Sequence, residues 1–234
     1  ALTPNVQGLE FALQQNVKEV AVFGAASEAF SLKNINCSID ESLSRFDPVC
    51  KAALDQGLKV RGYVSCVLGC PYDGAVEPSK VKDVAHKLID MGCYEISLGD
   101  TIGVGTPGST HNLLSYLLKD TSDGSSLPAD KLAVHFHDTY GQALANIYVA
   151  LLHNITTIDC SVSGLGGCPY ASGASGNVAT EDVVYMLQGL GIDAGVDLDK
   201  LIEASVYIDE VLGRSTGSKV CAAIEGKRGG NKAC

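Results

Sequence analysis

Short apolar runs rich in β-branched residues alternate along the chain with longer amphipathic stretches. Residues 19–24, 59–67, 94–99, 132–137 and 156–162 have strand length and composition. Between them, apolar positions recur at helical spacing. Val81, Val84, Ala85, Leu88 and Met91 fall on one helical face, with Pro78 near its start and Gly92 just past its end. Ser38 and Glu41 have the spacing of a capping box. Thr106-Pro107 opens another helix, Val183, Met186, Leu187 and Leu190 mark a later one, and 198–212 forms the last. Repeated strand–helix units imply parallel strands joined by crossovers.

Polar groups gather where the apolar runs end: Ser27 and Glu28, Ser65, Asp100 and Thr101, His137 and Asp138, Ser161 and Ser163. In parallel α/β folds ligands bind at these carboxyl ends of the strands. No Gly-x-Gly-x-x-Gly occupies a first strand–helix turn, which argues against a dinucleotide site. The expected fold is therefore α/β of the TIM (β/α)8 barrel type, with residues 1–215 as the barrel domain and 216–234 as a C-terminal tail.

A length of 234 residues is enough for one sizeable core, and no apolar run is long enough to span a membrane. The net charge of −10 and the lack of a basic patch argue against nucleic acid as a partner. Lys227-Arg228 is expected to remain solvated. An acidic protein can still take an anionic substrate if a metal supplies local positive charge. The nine cysteines are odd in number and lie mostly inside apolar patterns, as small buried thiols in a reducing compartment would. Cys66 and Cys70 lack the second Cys/His pair that a structural zinc site needs.

His135 and His137 lie two apart on an expected strand, so both imidazoles face the same way near its end. Such a pair can occupy two positions on one face of a divalent metal, or it can be satisfied by core hydrogen bonds. His86, His111 and His153 fall on helical patterns and are read as surface or satisfied residues. A glycine-rich segment, 163–177, follows the last strand. It can bring backbone amides close to a ligand, and it carries Cys168 between glycine and proline, a poor setting for packing but a good one for chemistry. Asn177 closes the segment, where an ordinary helix cap is the simpler role.

Taken together, His135-Phe-His137, Gly164-Leu-Gly-Gly-Cys-Pro-Tyr170 and Gly173-Ala-Ser-Gly-Asn177 closely resemble the 3-hydroxy-3-methylglutaryl-CoA lyase family. Supporting stretches include Phe23-Gly-Ala-Ala-Ser27, Arg61-Gly-Tyr-Val-Ser-Cys66 and Gly92-Cys-Tyr-Glu-Ile-Ser-Leu-Gly-Asp-Thr-Ile-Gly103. The likeness covers nearly the whole chain, fades over 225–234, and leaves 120–130 longer than usual. The His-x-His pair is shared with the wider metal-dependent lyase and Claisen-condensing barrels, whereas the cysteine-bearing loop is more specific to the lyase.

The resemblance implies retro-Claisen cleavage of 3-hydroxy-3-methylglutaryl-CoA to acetyl-CoA and acetoacetate, as in ketone-body formation and leucine degradation. It implies Mg²⁺ or Mn²⁺ as cofactor, with His135, His137 and Asn177 as metal ligands. Catalytic roles then fall to Cys168, in proton transfer to the enolate carbon, to His135, and to Asp100 as an acid–base or supporting group, where the simpler reading of Asp100 is a structural hydrogen-bond acceptor. Tyr63, Ser97 and Asn34 are expected to line the substrate site. The partner is a small-molecule CoA thioester, a homodimer is compatible, and the family's usual compartment is the mitochondrial matrix.

The family's Asp-Arg pair, at the end of the first barrel strand, has no counterpart here, and the opening Leu2-Thr-Pro-Asn5 resembles the end of the third strand. The expectation is a barrel lacking about its first two to three strands, so that the chain alone is inactive or nearly so. The alternatives are a Claisen-condensing relative of isopropylmalate synthase, which would not be expected to carry the Cys168 loop, or a non-catalytic truncated isoform.

Overall fold

The structure, a computed structural model, describes residues 1–119, 125–167 and 176–230. Nine helices and five strands follow one another among them: α1 (Val6–Gln14), β1 (Glu19–Ala25), α2 (Glu28–Ile35), α3 (Ile39–Asp55), β2 (Lys59–Ser65), α4 (Pro78–Asp90), β3 (Glu95–Asp100), α5 (Pro107–Leu118), β4 (Leu132–Phe136), α6 (Ala143–Leu152), β5 (Thr157–Asp159), α7 (Thr180–Gly189), α8 (Leu198–Leu212) and α9 (Lys219–Gly230). The strands pair in parallel in simple chain order, β1-β2-β3-β4-β5. A doubly wound sheet would reverse that order at a switch point, and the uninterrupted sequence is the winding of a TIM barrel.

Register decides which side chains meet. Arg61 pairs with Glu95, Tyr63 with Ser97, Ser97 with Ala133, Gly99 with His135, and His135 with Asp159. Because side chains alternate along a strand, these residues form one polar layer on the inner face. Their neighbours Val60, Val64, Ile96, Leu98, Leu132 and Val134 point to the other face and are essentially fully buried in the main core. Each such burial contributes roughly 1.5–3 kcal/mol. At Gly62 a Cβ would lie 2.9 Å from Ile96 and 3.2 Å from Leu88, so its absence lets α4 close onto β2.

Local sequence accounts for most boundaries. The Ser38–Glu41 capping box is formed in both directions and starts α3. Thr106 caps α5, with Pro107 in its first turn. β2 stops at Ser65, short of the expected 67, because Cys66 turns to φ +62° and donates its N–H to Thr101 Oγ1 at 2.8 Å. β5 is also shorter than expected. Past Asp159 the chain leaves β4: the Ser161 N–H donates to the Val178 carbonyl, and the Thr180 N–H returns to that of Ser161.

Four helices lie where the apolar pattern marked none: α1, α2, α6 and α9. The expected tail at 216–234 holds α9, and its start is tied to α7. The Ser218 hydroxyl donates to Asp182 Oδ1 at 2.7 Å, and the Lys219 and Val220 N–H groups donate to the same carboxylate. This fixed carboxylate satisfies amides that a free tail would leave to water. Arg228 is solvent-exposed as expected, and it pairs with Asp199 and Glu225.

Candidate active site

β4 carries His135 and His137 to its carboxyl end on the inner face, with ring centroids 5.4 Å apart. Just beyond the strand, His137 forms an antiparallel bridge with Asn177, and the Asp138 N–H donates to the Gly176 carbonyl at 2.9 Å. This bridge brings together two motifs separated by 40 residues of chain. Asn177 does not cap α7, whose N-cap is Ala179. Its Nδ2 donates to the Leu165 carbonyl at 2.8 Å, leaving Oδ1 as the acceptor of a fixed amide. Gly166, at φ +91°, makes room for it, since a Cβ there would sit 2.7 Å from Asn177 Nδ2.

Burial, reinforced by the neighbouring His135, pushes the pKa of His137 down to about 4, so its imidazole is neutral at pH 7. Its Nδ1 is buried and has no hydrogen-bond partner. A neutral imidazole with an orphaned ring nitrogen, a second imidazole and an oriented amide form a donor set that fits a divalent metal completed by oxygen ligands. Among the described residues no group of three His, Cys, Asp or Glu side chains could hold a metal, so the amide of Asn177 is essential to this reading.

Beneath the histidines lies a charged network. Arg61 Nε donates to Glu95 Oε2 at 2.7 Å, and Nη1 donates to both oxygens of Asp159, at 2.8 and 3.0 Å, and to the Tyr63 hydroxyl at 2.6 Å. Ser97 Oγ donates to Asp159 Oδ2 at 2.7 Å, and His135 Nδ1 lies 3.4 Å from the same oxygen. Burial alone would raise the pKa of Asp159. The donors His135, Ser97 and Arg61, with the guanidinium charge, outweigh it and hold the carboxyl at about 2. Tyr63 is shifted up, chiefly by burial and then by the Asp159 charge.

A cavity of about 460 Å³ opens over this layer, lined by Phe23, Asn34, Tyr63, Thr101, His135 and His137 among others. Of the residues expected there, Tyr63 and both histidines face it, and Asn34 reaches its rim from α2. Ser97 is fully buried and turned to Asp159 rather than lining the space. Asp100 has the opposite strand parity and does not line it either. Its oxygens accept from the N–H groups of Val104, at 3.2 Å, and Gly105, at 2.8 Å, which clips the turn after β3. Burial raises its pKa to about 6 despite those amides. Cys168 lies outside the described residues. Sequence reasoning passed over Arg61, Glu95 and Asp159. The available signal was a set of charged side chains inside strand patterns, which can be buried only when paired.

Fold and site together define an α/β-barrel protein whose polar site sits at the carboxyl ends of parallel strands. Residues 1–208 match the HMGL-like family model, and the chain belongs to that family. It is 61% identical over 222 residues to the mitochondrial hydroxymethylglutaryl-CoA lyase of Bos taurus, covering 95% of this chain and 66% of that protein. It is 59% identical over 227 residues to the 3-hydroxy-3-isohexenylglutaryl-CoA/hydroxy-methylglutaryl-CoA lyase of Pseudomonas aeruginosa, covering 97% and 74%. The chain thus spans about two thirds of the length of its mammalian relatives. Among solved structures, the Pseudomonas aeruginosa hydroxymethylglutaryl-CoA lyase superposes with a TM-score of 0.91 at 59% identity, over 97% of this chain and 74% of that one. A Acinetobacter HMG-CoA lyase solved with coenzyme A and 3-methylmalate gives 0.87 at 32% identity, over 95% and 70%. The carboxyl transferase domain of Rhizobium etli pyruvate carboxylase, at 18% identity and 0.63, shares the fold alone.

Proposed function

We propose that the protein to which this chain belongs cleaves 3-hydroxy-3-methylglutaryl-CoA to acetyl-CoA and acetoacetate. The observation that carries this reading is the His137–Asn177 bridge, which puts both strand histidines beside the segment closing the Cys168 loop. Family membership and the lyase relatives support the same reaction. The relative solved with coenzyme A supports a CoA thioester as substrate, and the bovine relative supports a mitochondrial address.

His135, His137 and Asn177 would hold the cation, Mg²⁺ or Mn²⁺. When bound, it would acidify the substrate's tertiary alcohol and orient the breaking bond. The chain's own groups account for the remaining tasks. Tyr63, its hydroxyl held by Arg61, and Asn34 at the rim position the acyl portion in the cavity. His135 lines the cavity as a ligand, its Nδ1 turned to Asp159, and the alcohol proton passes to water at the cavity. As the carbon–carbon bond breaks, the electron pair passes to the thioester enolate, and the Cys168 thiol returns a proton to its carbon. Asp100 contributes by fixing the turn that carries Thr101 rather than by touching substrate.

The test is turnover of 3-hydroxy-3-methylglutaryl-CoA by the protein expressed from its complete coding sequence, with Mg²⁺ present. Acetoacetate and acetyl-CoA should form in equal amounts, and Cys168→Ala should remove most of that activity while leaving Mn²⁺ binding unchanged. Equal turnover by the variant would refute the proton-transfer role, and no cleavage by the wild type would refute the assignment.

A further inference from the structure

The inner layer contains an ion pair for which the proposed reaction has no direct use. Asp159 does not line the cavity, yet three groups converge on its carboxylate: Arg61 on both oxygens, and Ser97 and His135 on Oδ2. Asp159 and His135 are direct partners across β4 and β5, so the ladder itself fixes their approach. Arg61 is fixed in turn by Glu95, which Thr157 holds through Oε1 at 2.9 Å.

We infer that Asp159 is a positioning residue that keeps the ring proton of His135 on Nδ1 and so reserves Nε2 for the metal. The argument is one of hydrogen-bond polarity. Arg61 donates to both oxygens of Asp159 and Ser97 to Oδ2, and a carboxylate engaged in this way only accepts. The ring nitrogen facing Oδ2 must therefore carry the proton, and in a neutral imidazole the other nitrogen keeps its lone pair. A ligating histidine commonly donates its second nitrogen to a carboxylate in this way. Here the carboxylate is itself pinned by a buried guanidinium.

The replacement Asp159→Asn would reverse the polarity. Arg61 Nη1, which has no lone pair, lies nearer Oδ1 (2.8 Å) than Oδ2 (3.0 Å), so the amide oxygen takes the Oδ1 position, and the Ser97 hydroxyl turns to accept at the other. The amide NH2 then occupies the Oδ2 position and donates to His135 Nδ1. The ring proton is driven to Nε2, where it blocks metal binding without changing the shape of the side chain.

This inference rests on the reading of His135 as a metal ligand, and its test separates the two. The chain labelled with ¹⁵N-histidine, free of metal at pH 7.5, is examined by long-range ¹H–¹⁵N correlation, with His135→Gln assigning the signal. The wild type should show the Nδ1–H tautomer and Asp159→Asn the Nε2–H tautomer. Mn²⁺ titration followed by electron paramagnetic resonance should show a loss of affinity of about 10–100-fold in Asp159→Asn. An Nε2–H tautomer in the wild type, or unchanged Mn²⁺ affinity in a folded Asp159→Asn, overturns the inference. Should Asp159→Asn fail to fold, the wild-type tautomer decides alone. A wild type that shows Nδ1–H but binds no Mn²⁺ supports the positioning role and refutes the metal-ligand reading instead.

Discussion

Arg61 and Glu95 face each other as paired positions on β2 and β3, and the guanidinium Nε donates to the carboxylate at 2.7 Å with both side chains about 10% exposed. The pair continues through the same guanidinium to Asp159 on β5, so one cation holds two carboxylates from different strands. Removing it leaves both carboxylates buried without a guanidinium to balance their charge, held only by Ser97, His135 and Thr157. Arg61→Met is expected to lower stability by about 3–5 kcal/mol, measured as the shift in urea midpoint at constant slope. A loss below about 1 kcal/mol would show that water replaces the guanidinium freely.

Metal affinity should depend on the three proposed ligands together. His137→Ala and Asn177→Ala are each expected to weaken Mn²⁺ binding by about tenfold or more, in line with the loss of one ligand or its orientation. Asn177→Ala also leaves the Leu165 carbonyl without its side-chain donor, so its effect should exceed that of Asn177→Gln only if the longer amide still reaches. Electron paramagnetic resonance of free Mn²⁺ reports both. Unaltered binding in His137→Ala would remove that histidine from the site.

Two buried groups pull the acid stability of the metal-free protein in opposite directions. His137 has a folded pKa near 4 against the usual 6.5, so its contribution is present above pH 6.5 and is lost as pH falls towards 4. Asp100 has a folded pKa near 6 against the usual 3.8, so its contribution is present below pH 3.8 and is lost as pH rises through 6. Each amounts to about 3 kcal/mol at most, and they largely cancel between pH 4 and 6. Asp100→Asn should therefore lose stability more steeply than the wild type between pH 6 and pH 4. Urea unfolding in EDTA at several pH values measures the slope, and parallel slopes would contradict the opposition.

Ser163 anchors the far end of the site. Its hydroxyl donates to the Asp209 carboxylate, at 2.7 and 2.6 Å from the two oxygens, its N–H donates to Glu181, and its carbonyl accepts from Arg214. Asp209→Ala removes the carboxylate that accepts from the hydroxyl, leaving it Thr216 Oγ1 at 3.1 Å, and takes the counter-ion from Arg214. The expected cost is about 1–3 kcal/mol. Hydrogen exchange should quicken in α8 and α9 before it does in β1–β3. Uniform acceleration throughout the chain would instead indicate a single cooperative unit.

Much of this architecture was legible in the sequence, because strands and amphipathic helices announce themselves by periodicity. The capping box at Ser38 and the span of α8 needed nothing beyond local pattern. α6 was harder, since Ala-Leu-Ala-Asn-Ile-Tyr-Val-Ala-Leu-Leu is apolar on nearly every side and gives little contrast between its faces. α9 takes its start from a carboxylate on α7, 36 residues before Ser218, which no local window can see. At the site, alternation placed His135 and His137 together. The same alternation, applied to β3, puts Ser97 inward but turned down to Asp159, and Asp100 outward against the α5 side. Their chemistry was visible in the sequence, whereas the direction they face depends on register.

That register makes the site unequally tolerant of changes in length. The connection between α5 and β4 can gain or lose residues without altering which side chains of β4 point inward, because Gly99 opposite His135 sets the alignment, whatever the length of chain between them. A single residue inserted within β3 acts differently. It would exchange Ser97 for Leu98 in the inner layer, turn an apolar side chain onto Asp159 and leave a hydroxyl among the helices. Natural variation in this chain should therefore accumulate as altered loop lengths, with strands of fixed count.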